Sequence, residues 1–382
     1  MRVFFVLAMT LLLFCVCFVN ASEPNEILYN SVFVSGQDGY NTYRIPSIVI
    51  APNGDVLAFC EGRKNDRYDA GDIDILVKRS TNGGKTFGQQ MIVWDDANNT
   101  CGNPCSVVDN YTKRIWLFST WNHGDDHEKD IKRGTSKDSR RIFVLYSDDN
   151  GQTWSRPAEI TKDVKKEEWR WYATGPGVGI QLKYGKNKGR LVIPCDYSAS
   201  AGDPNSSQYG SHLIYSDDNG KTWQIGGVVK NGGNECQVVE CLDGSLILNM
   251  RNHSKYGSRA IAYSYDGGKT LKDVSFISNL QEPRCQASLI RYSPNGLTDK
   301  NIILFSNPNH NKKRLNMTVK ASYDEGKTWP MEKSLHKGPS AYSCLVVLPD
   351  GKVGCLYEAG EAMPYEKIVL AILGIEQITE NK

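Results

Sequence analysis

Apolar, β-branched and aromatic residues come in short runs with period-two alternation, as in YRIPSIVI (43–50), RRIFVLYS (140–147), SHLIYS (211–216) and SLILNM (245–250). Gly, Asn, Asp and Pro punctuate them, and helical periodicity is nearly absent. The pattern predicts strands throughout. One octapeptide cuts the runs five times: STNGGKTF (80–87), SDDNGQTW (147–154), SDDNGKTW (216–223), SYDGGKTL (264–271) and SYDEGKTW (322–329). In it the Asp or Asn oxygen accepts turn N–H groups and the Gly supplies a positive φ. The Thr and the aromatic residue open the next strand. It reads as one hairpin turn reused.

The starts of the copies are 67, 69, 48 and 58 residues apart, which suits one four-stranded sheet per repeat. About 361 residues follow the leader described below, enough for six units of roughly 60. The expected fold class is all-β: a six-bladed β-propeller of four-stranded antiparallel blades. Its last blade takes a missing fourth strand from residues 27–34 near the N-terminus.

If the octapeptide joins strands three and four, it marks one end of the propeller, together with the short turns PNGD (52–55), LDGS (242–245) and PDGK (349–352). Longer connections at 61–72, 121–139, 197–208, 251–258 and 307–314 fall at the other end, where a site is expected. Strand ends there carry Arg44, Glu235, Arg251, Arg314, Tyr342 and Glu358, and Asp69 lies in the first long loop. Three guanidinium forks suit one carboxylate. Glu235 near Tyr342 can take the phenol proton and make the oxygen a nucleophile; Asp69 can protonate a leaving oxygen. Each residue alone has a plain structural reading, and Glu358 also reads as a simple ion-pair partner of Arg44. Their convergence outweighs it.

Composition adds the compartment and removes some partners. Residues 1–21 read as a secretory signal, with Arg2, an apolar run over 3–19 and a small residue at Ala21, leaving the propeller over 22–382. The expected location is secreted or extracytoplasmic, without stable membrane insertion after cleavage. With 45 Lys+Arg against 43 Asp+Glu the net charge is +2, which argues against nucleic acid as a partner. Of 11 cysteines, Cys15 and Cys17 fall in the leader; the nine others are odd in number, and Cys101 and Cys105 could pair locally. No C-x-x-C pair supports zinc, and neither metal nor cofactor is expected. The motif His123-Gly-Asp-Asp-His127 reads as a solvated loop, with substrate contact as the alternative. Sequons stand at Asn98, Asn110, Asn205, Asn252 and Asn316. Those at Asn252 and Asn316 adjoin Arg251 and Arg314 and are expected to stay unmodified.

With YRIP at 43–46, the five octapeptides, TGPG at 174–177, NECQ at 234–237 and AYS at 341–343, the chain resembles the sialidase (neuraminidase) family over nearly its whole mature length. That family calls the octapeptide an Asp box. The resemblance implies a retaining exo-α-sialidase, a glycoside hydrolase that releases terminal α-linked sialic acid from glycoproteins, glycolipids or oligosaccharides. Arg44, Arg251 and Arg314 match the carboxylate-gripping triad, Tyr342 the nucleophile, Glu235 its base partner and Glu358 the acid that orients the first arginine. Asp69 matches the general acid/base, chosen over Asp66, Asp72 and Asp74 by its spacing of eleven residues before Ser80. Arg63 and Asn103 resemble residues that contact the 4-hydroxyl and N-acetyl region. Trp121 and Tyr172 are candidates for the apolar side of that pocket. A neutral phenol avoids the repulsion that a carboxylate nucleophile would meet from the substrate's own carboxylate. The rival readings are a sialic-acid-binding, lectin-like propeller and a trans-sialidase. Lys312 and Lys313 stand where trans-sialidases tend to place an acceptor-stacking aromatic.

Overall fold

The computed structural model describes residues 26–200, 207–253, 257–293 and 301–380. The expected leader at 1–21 and the sequon at Asn205 lie outside them. The chain is all-β and is built from antiparallel four-strand units in sequence order. After β1 (Leu28–Val34), the first unit holds β2 (Thr42–Ile50), β3 (Val56–Arg63), β4 (Ile73–Ser80) and β5 (Met91–Trp94). The second holds β6 (Thr100–Val108), β7 (Ile115–Asn122), β8 (Arg141–Ser147) and β9 (Ala158–Glu159), with a short helix α1 (Glu128–Arg133) between β7 and β8.

In the third unit the first strand is broken into β10 (Trp169–Thr174), β11 (Gly177–Val178) and β12 (Ile180–Gln181). It is followed by β13 (Leu191–Ser200), β14 (Ser207–Ser216) and β15 (Gln224–Val229). The fourth holds β16 (Cys236–Glu240), β17 (Leu246–Met250), β18 (Ser258–Ser264) and β19 (Lys272–Gln281). The fifth holds β20 (Ser288–Arg291), β21 (Ile303–Pro308), β22 (Leu315–Ser322) and the first half of β23 (Met331–Val347). The second half of β23 opens the next unit, with β24 (Val353–Ala359) and β25 (Lys367–Leu373), and β1 pairs with β25 as its fourth strand. The two ends of the described chain are thereby joined.

Each octapeptide copy sits between the third and fourth strands of its unit, and its hydrogen bonds repeat. Thr222 N–H donates to Asp218 Oδ1 at 2.9 Å and Gly220 N–H to Ser216 Oγ at 2.8 Å; Thr328 to Asp324 and Gly326 to Ser322 do the same at 2.8 and 2.9 Å. Gly220 adopts φ 86°, and a Cβ there would stand 2.4 Å from the Trp116 ring of the preceding unit. The glycine is thus required twice, by the turn and by the contact between units.

The core lies between the faces of neighbouring units. Leu57 and Phe59 of the first pack in one cluster with Leu117 and Leu145 of the second and Leu356 and Leu370 of the last. The first strands are tied edge to edge. Ser47 Oγ donates to Gly177 O at 2.7 Å and meets Ser106 Oγ at 2.8 Å. Gln237 Nε2 and Gln286 Nε2 both donate to Pro176 O at 3.1 Å, and Gln286 Oε1 accepts Ser343 N–H at 3.0 Å. These bonds gather the starts of all the units around one axis, so strand-end residues far apart in sequence meet there.

The nine cysteines among the described residues are free and buried, so the local pairing left open for Cys101 and Cys105 is not formed. Cys101 packs into the cluster that holds Leu57 and Phe59, and Cys105 into a separate one with Ile193 and Cys195.

Candidate active site

Three first strands break their ladders at the same end. β2 slips between Arg44 and Ser47, β6 between Gly102 and Cys105, and β23 between Ser340 and Ser343. A bulge twists its strand and re-aims a side chain; here it turns Arg44, Asn103 and Tyr342 toward the axial mouth. Ile45 adopts φ 60° and Asn103 φ 53°. For a β-branched residue left-handed backbone costs roughly 1–2 kcal/mol. A carboxylate offsets it: Ile45 N–H donates to Glu358 Oε1 at 2.8 Å.

Glu358 is fully buried and accepts two further bonds, from Arg44 Nε at 2.7 Å and Tyr342 N–H at 3.0 Å. One side chain therefore fixes an arginine and the backbone of the tyrosine together. Glu61 repeats the arrangement one unit on. Its Oε1 accepts Asn103 N–H at 2.7 Å, and its Oε2 accepts Arg63 Nε at 3.0 Å and Nη2 at 2.6 Å.

Above these two carboxylates opens a cavity of about 190 Å³. In its floor the Tyr342 hydroxyl donates a short hydrogen bond to Glu235 Oε1. Arg251 Nη1 donates to Glu235 Oε2 at 2.6 Å and to Tyr342 Oη at 3.1 Å. The Arg44 and Arg314 guanidinium carbons lie 5.3 and 5.5 Å from the Tyr342 ring centroid. Tyr365 braces both: its ring lies 4.0 Å beneath Arg44, and its hydroxyl accepts Arg314 Nη1 at 3.0 Å. Burial raises the Tyr342 pKa well above that of a free phenol, and the Glu235 charge adds to it against the pull of Arg251 and Arg314. The phenol is therefore protonated in the free site, with its proton directed at a carboxylate. Deprotonation can accompany attack rather than precede it.

Asp69 stands at the rim with its side chain 65% exposed, 2.7 Å from Arg63 Nη2 and 3.9 Å from Arg44 Nη1. Its crowded surroundings alone would raise its pKa. Arg63, then Arg44 and Arg140, outweigh them and hold the carboxyl at about 2. Asp196 goes the other way: burial, then Glu235 and Glu128, push its pKa well above the carboxylate range. Five arginines and five acids line the cavity. Three of the arginines, Arg44, Arg251 and Arg314, surround Tyr342, and that cluster suits an anion.

Of the residues expected from sequence, Arg44, Arg63, Asp69, Asn103, Glu235, Arg251, Arg314 and Tyr342 all line this cavity, and Glu358 lies buried against Arg44 and Tyr342. Trp121 and Tyr172 do not line it. The Trp121 indole donates to Asp96 at 2.6 Å, and Tyr172 points into the core, donating to Val164 O at 3.3 Å. The apolar wall is Trp171 and Ala173, because the ladder between β10 and β13 shifts register between Trp169 and Tyr172 and exchanges the faces.

Neither His123 nor His127 lines the cavity, although Glu128 at the start of α1 does. Asp126 of that motif accepts Lys137 N–H at 2.9 Å. Among the described residues no group of His, Cys, Asp and Glu is arranged to hold a metal, and no helix is long and apolar enough to cross a membrane. Sequence reasoning missed Glu61, Arg140, Trp171, Asp196 and Tyr365. Glu61 had a signal, since EGR at the end of β3 parallels YEAG at the end of β24.

Residues 54–355 match the family described as BNR repeat-like domain. The chain is 35% identical over 354 residues to a sialidase of Micromonospora viridifaciens, covering 89% of this chain and 53% of that protein. It is 30% identical over 352 residues to an exo-alpha-sialidase of Aspergillus fumigatus, covering 84% and 79%. Among solved structures, Hadza microbial sialidase Hz136 superposes with a TM-score of 0.80 at 32% identity, covering 92% of this chain and 69% of that one. The intramolecular trans-sialidase of Ruminococcus gnavus shares the fold, with a TM-score of 0.75 at 23% identity over 92% and 99%. The chain thus spans about half the length of the Micromonospora relative.

Proposed function

This chain belongs to the sialidase family, and from that premise we propose that it is an exo-α-sialidase: a retaining glycoside hydrolase that removes terminal α-linked sialic acid from glycans. We also propose that its units are the blades of a six-bladed β-propeller. The bonds that gather the first strands at one axis, and the closure of β25 by β1, support that count. Export by the leader at 1–21 belongs to the same reading.

The observation that carries the enzymatic reading is the Tyr342–Glu235 couple set among Arg44, Arg251 and Arg314. A sialoside carboxylate placed between the three guanidiniums brings the anomeric carbon over the Tyr342 hydroxyl. Glu235 takes the phenol proton as the oxygen bonds to that carbon. The bond to the leaving oxygen breaks, and Asp69 delivers its proton there. Water then attacks the anomeric carbon, Asp69 accepts the water proton, the bond to Tyr342 breaks, and Glu235 returns the phenol proton. Two displacements at one carbon retain its configuration. The bound carboxylate also adds a negative charge near Arg44, one of the cations that hold Asp69 ionised, and so lifts Asp69 toward the acid form the first step needs.

The test is hydrolysis of an aryl α-sialoside by the wild type and Tyr342→Phe, with the first-formed anomer followed by NMR. We expect turnover by the wild type, a loss of about 10³-fold or more in kcat for the variant, and the α anomer released first. An inert wild type that still binds sialic acid would establish the lectin reading instead. Sialyl transfer or an anhydro product in place of the free sugar would establish the trans-sialidase reading.

A further inference from the structure

The three arginines around Tyr342 are held in two different ways. Arg44 Nε meets Glu358 at 2.7 Å and Arg251 Nη1 meets Glu235 at 2.6 Å, each an ion pair. Arg314 is held by neutral oxygens. Its Nη1 donates to Tyr365 Oη at 3.0 Å and its Nη2 to Arg284 O at 2.9 Å, and among the described residues no carboxylate pairs with it. The difference matters to an anionic ligand. An acid partner offsets part of an arginine's attraction for a second anion, whereas a phenol oxygen fixes the plane of the fork and leaves its charge whole.

Tyr365 can aim Arg314 only if it is itself fixed, and it stands in the irregular loop between β24 and β25, residues 360–366. Its ring packs on the cluster of Ile45, Cys285, Ala341 and Tyr342 and lies beneath Arg44. Its backbone is tied from outside the cavity. Ser35 Oγ donates to Tyr365 O at 2.8 Å, and Ser35 N–H donates to Glu366 O at 3.0 Å.

The Glu366 carboxylate then turns back on the loop. Its Oε2 accepts Glu361 N–H at 3.0 Å, and its Oε1 accepts Ala362 N–H at 2.8 Å and Met363 N–H at 2.9 Å. A Cβ at Gly360 would stand 2.7 Å from the Glu366 carboxyl carbon, so the side chain lies directly against the loop backbone. These N–H donors, Glu361 first, hold the Glu366 pKa below the usual carboxylate value and keep it an ionised acceptor. Glu366 itself does not line the cavity.

We propose that Glu366 is a positioning residue for the substrate carboxylate: it folds the backbone of residues 361–363, that fold sets Tyr365, and the Tyr365 hydroxyl aims Arg314. The proposal deepens the exo-α-sialidase reading and rests on its assignment of the three arginines to a carboxylate. The grip on that carboxylate can then be loosened from outside the cavity while the Tyr342–Glu235 couple stays in place.

The test pairs calorimetric titration, using 2-deoxy-2,3-didehydro sialic acid and its uncharged methyl ester, with steady-state kinetics on an aryl α-sialoside. Tyr365→Phe keeps the ring beneath Arg44 and removes the acceptor for Arg314. It should weaken the acid about tenfold, the scale of one lost bond to a charged group, and the ester less than about twofold. KM should rise with the loss of acid affinity, with kcat within about threefold. Glu366→Ala should weaken the acid about fivefold and again spare the ester. Made in the Tyr365→Phe background it should add less than about twofold, because the two residues act in series.

Equal losses for acid and ester overturn the proposal. So does a Glu366→Ala that binds the acid as wild type does, or one whose loss multiplies in full with that of Tyr365→Phe. If Glu366→Ala does not fold by circular dichroism, Glu366→Gln takes its place in the same cycle. Its oxygen can keep the bonds to Ala362 and Met363 while its amide faces Glu361 N–H, and about threefold is expected. An inert wild type whose titrations follow this pattern defeats the hydrolase reading alone. Normal turnover with titrations that depart from it defeats the proposal alone.

Discussion

Removing Glu358 should disturb stability and catalysis in separable ways, because it accepts from Arg44 Nε, Ile45 N–H and Tyr342 N–H at once, fully buried. Glu358→Ala leaves the Arg44 guanidinium in the interior without its close anionic partner, which costs roughly 3–5 kcal/mol. At about 1.3 °C per kcal/mol for a chain of this size, the melting temperature should fall by roughly 4–7 °C. Glu358→Gln is the sharper instrument. Its carbonyl oxygen can keep the Oε1 bonds to Arg44 and Ile45, but its amide then faces Tyr342 N–H, donor against donor. Leaving that buried N–H unmet costs about 1–3 kcal/mol. The loss falls on the backbone of the proposed nucleophile, not on the charge of the arginine. Calorimetric melting should therefore drop by about 1–4 °C. In steady-state kinetics on an aryl α-sialoside, kcat should fall about 10²-fold, the scale expected when a reacting group shifts by about an ångström, with KM within about fivefold. If Glu358→Gln melts within a degree of wild type and keeps more than half its kcat, the idea that one carboxylate tethers arginine and tyrosine together is wrong.

Asp69→Asn should depend on the leaving group: kcat/KM for an activated aryl sialoside should survive at least 10²-fold better than for sialyllactose, whose alkoxide needs a proton; equal losses would remove Asp69 from the acid role. The depressed Asp69 pKa, about 2 against 3.8, contributes stability that is present above about pH 4 and lost as pH falls through 2. Because the carboxyl is largely exposed, this is worth under about 1 kcal/mol. The gap in unfolding free energy between wild type and Asp69→Asn in urea should accordingly shrink from pH 5 to pH 2.5, and a constant gap would contradict it. All nine described cysteines are buried, and burial raises the pKa of each thiol. Ellman's reagent should find less than one equivalent in the native protein and all nine after guanidinium. Expressed in a eukaryotic secretory host, Asn252 should carry no glycan, because it is buried and its amide donates to Ser258 O. Asn316, whose Oδ1 accepts Ser334 Oγ at 2.8 Å, should also stay bare, and exposed Asn98 is the site to find occupied; glycopeptide mapping decides.

How far the sequence carries this site depends on which feature places each residue. Arg44, Arg251, Arg314, Tyr342 and Glu358 sit at or beside strand ends, and the octapeptide marks the opposite ends of the same units, so counting strands was enough to bring them together. Residues whose direction depends on a bulge were not legible. Alternation through WRWYAT (169–174) assigns faces only while the ladder is regular, and the register shift between Trp169 and Tyr172 gives the cavity Trp171 in place of Tyr172. Arg140 was hidden differently: just before β8 it reads as a solvated charge, and only the stacking on Trp171 and the bond to Asn103 make it part of the wall.

Glu61 is the instructive case, because its role is that of Glu358 moved one unit along the ring. Each ends a second strand. Each takes the N–H of a left-handed residue in the next first strand, Ile45 or Asn103, and each holds an arginine, Arg44 or Arg63. The repeat thus propagates a device for aiming side chains as well as a turn. In the first copy it aims an arginine of the proposed carboxylate clamp. In the second it aims Arg63, which in turn sets the charge on Asp69. Laying the units over one another by the octapeptide and comparing the ends of their second strands would have exposed Glu61 from sequence alone. No such comparison reaches Asp196 and Arg140, because they come from different units, Arg140 from just before β8 and Asp196 from β13, and neither ends a second strand as Glu61 does.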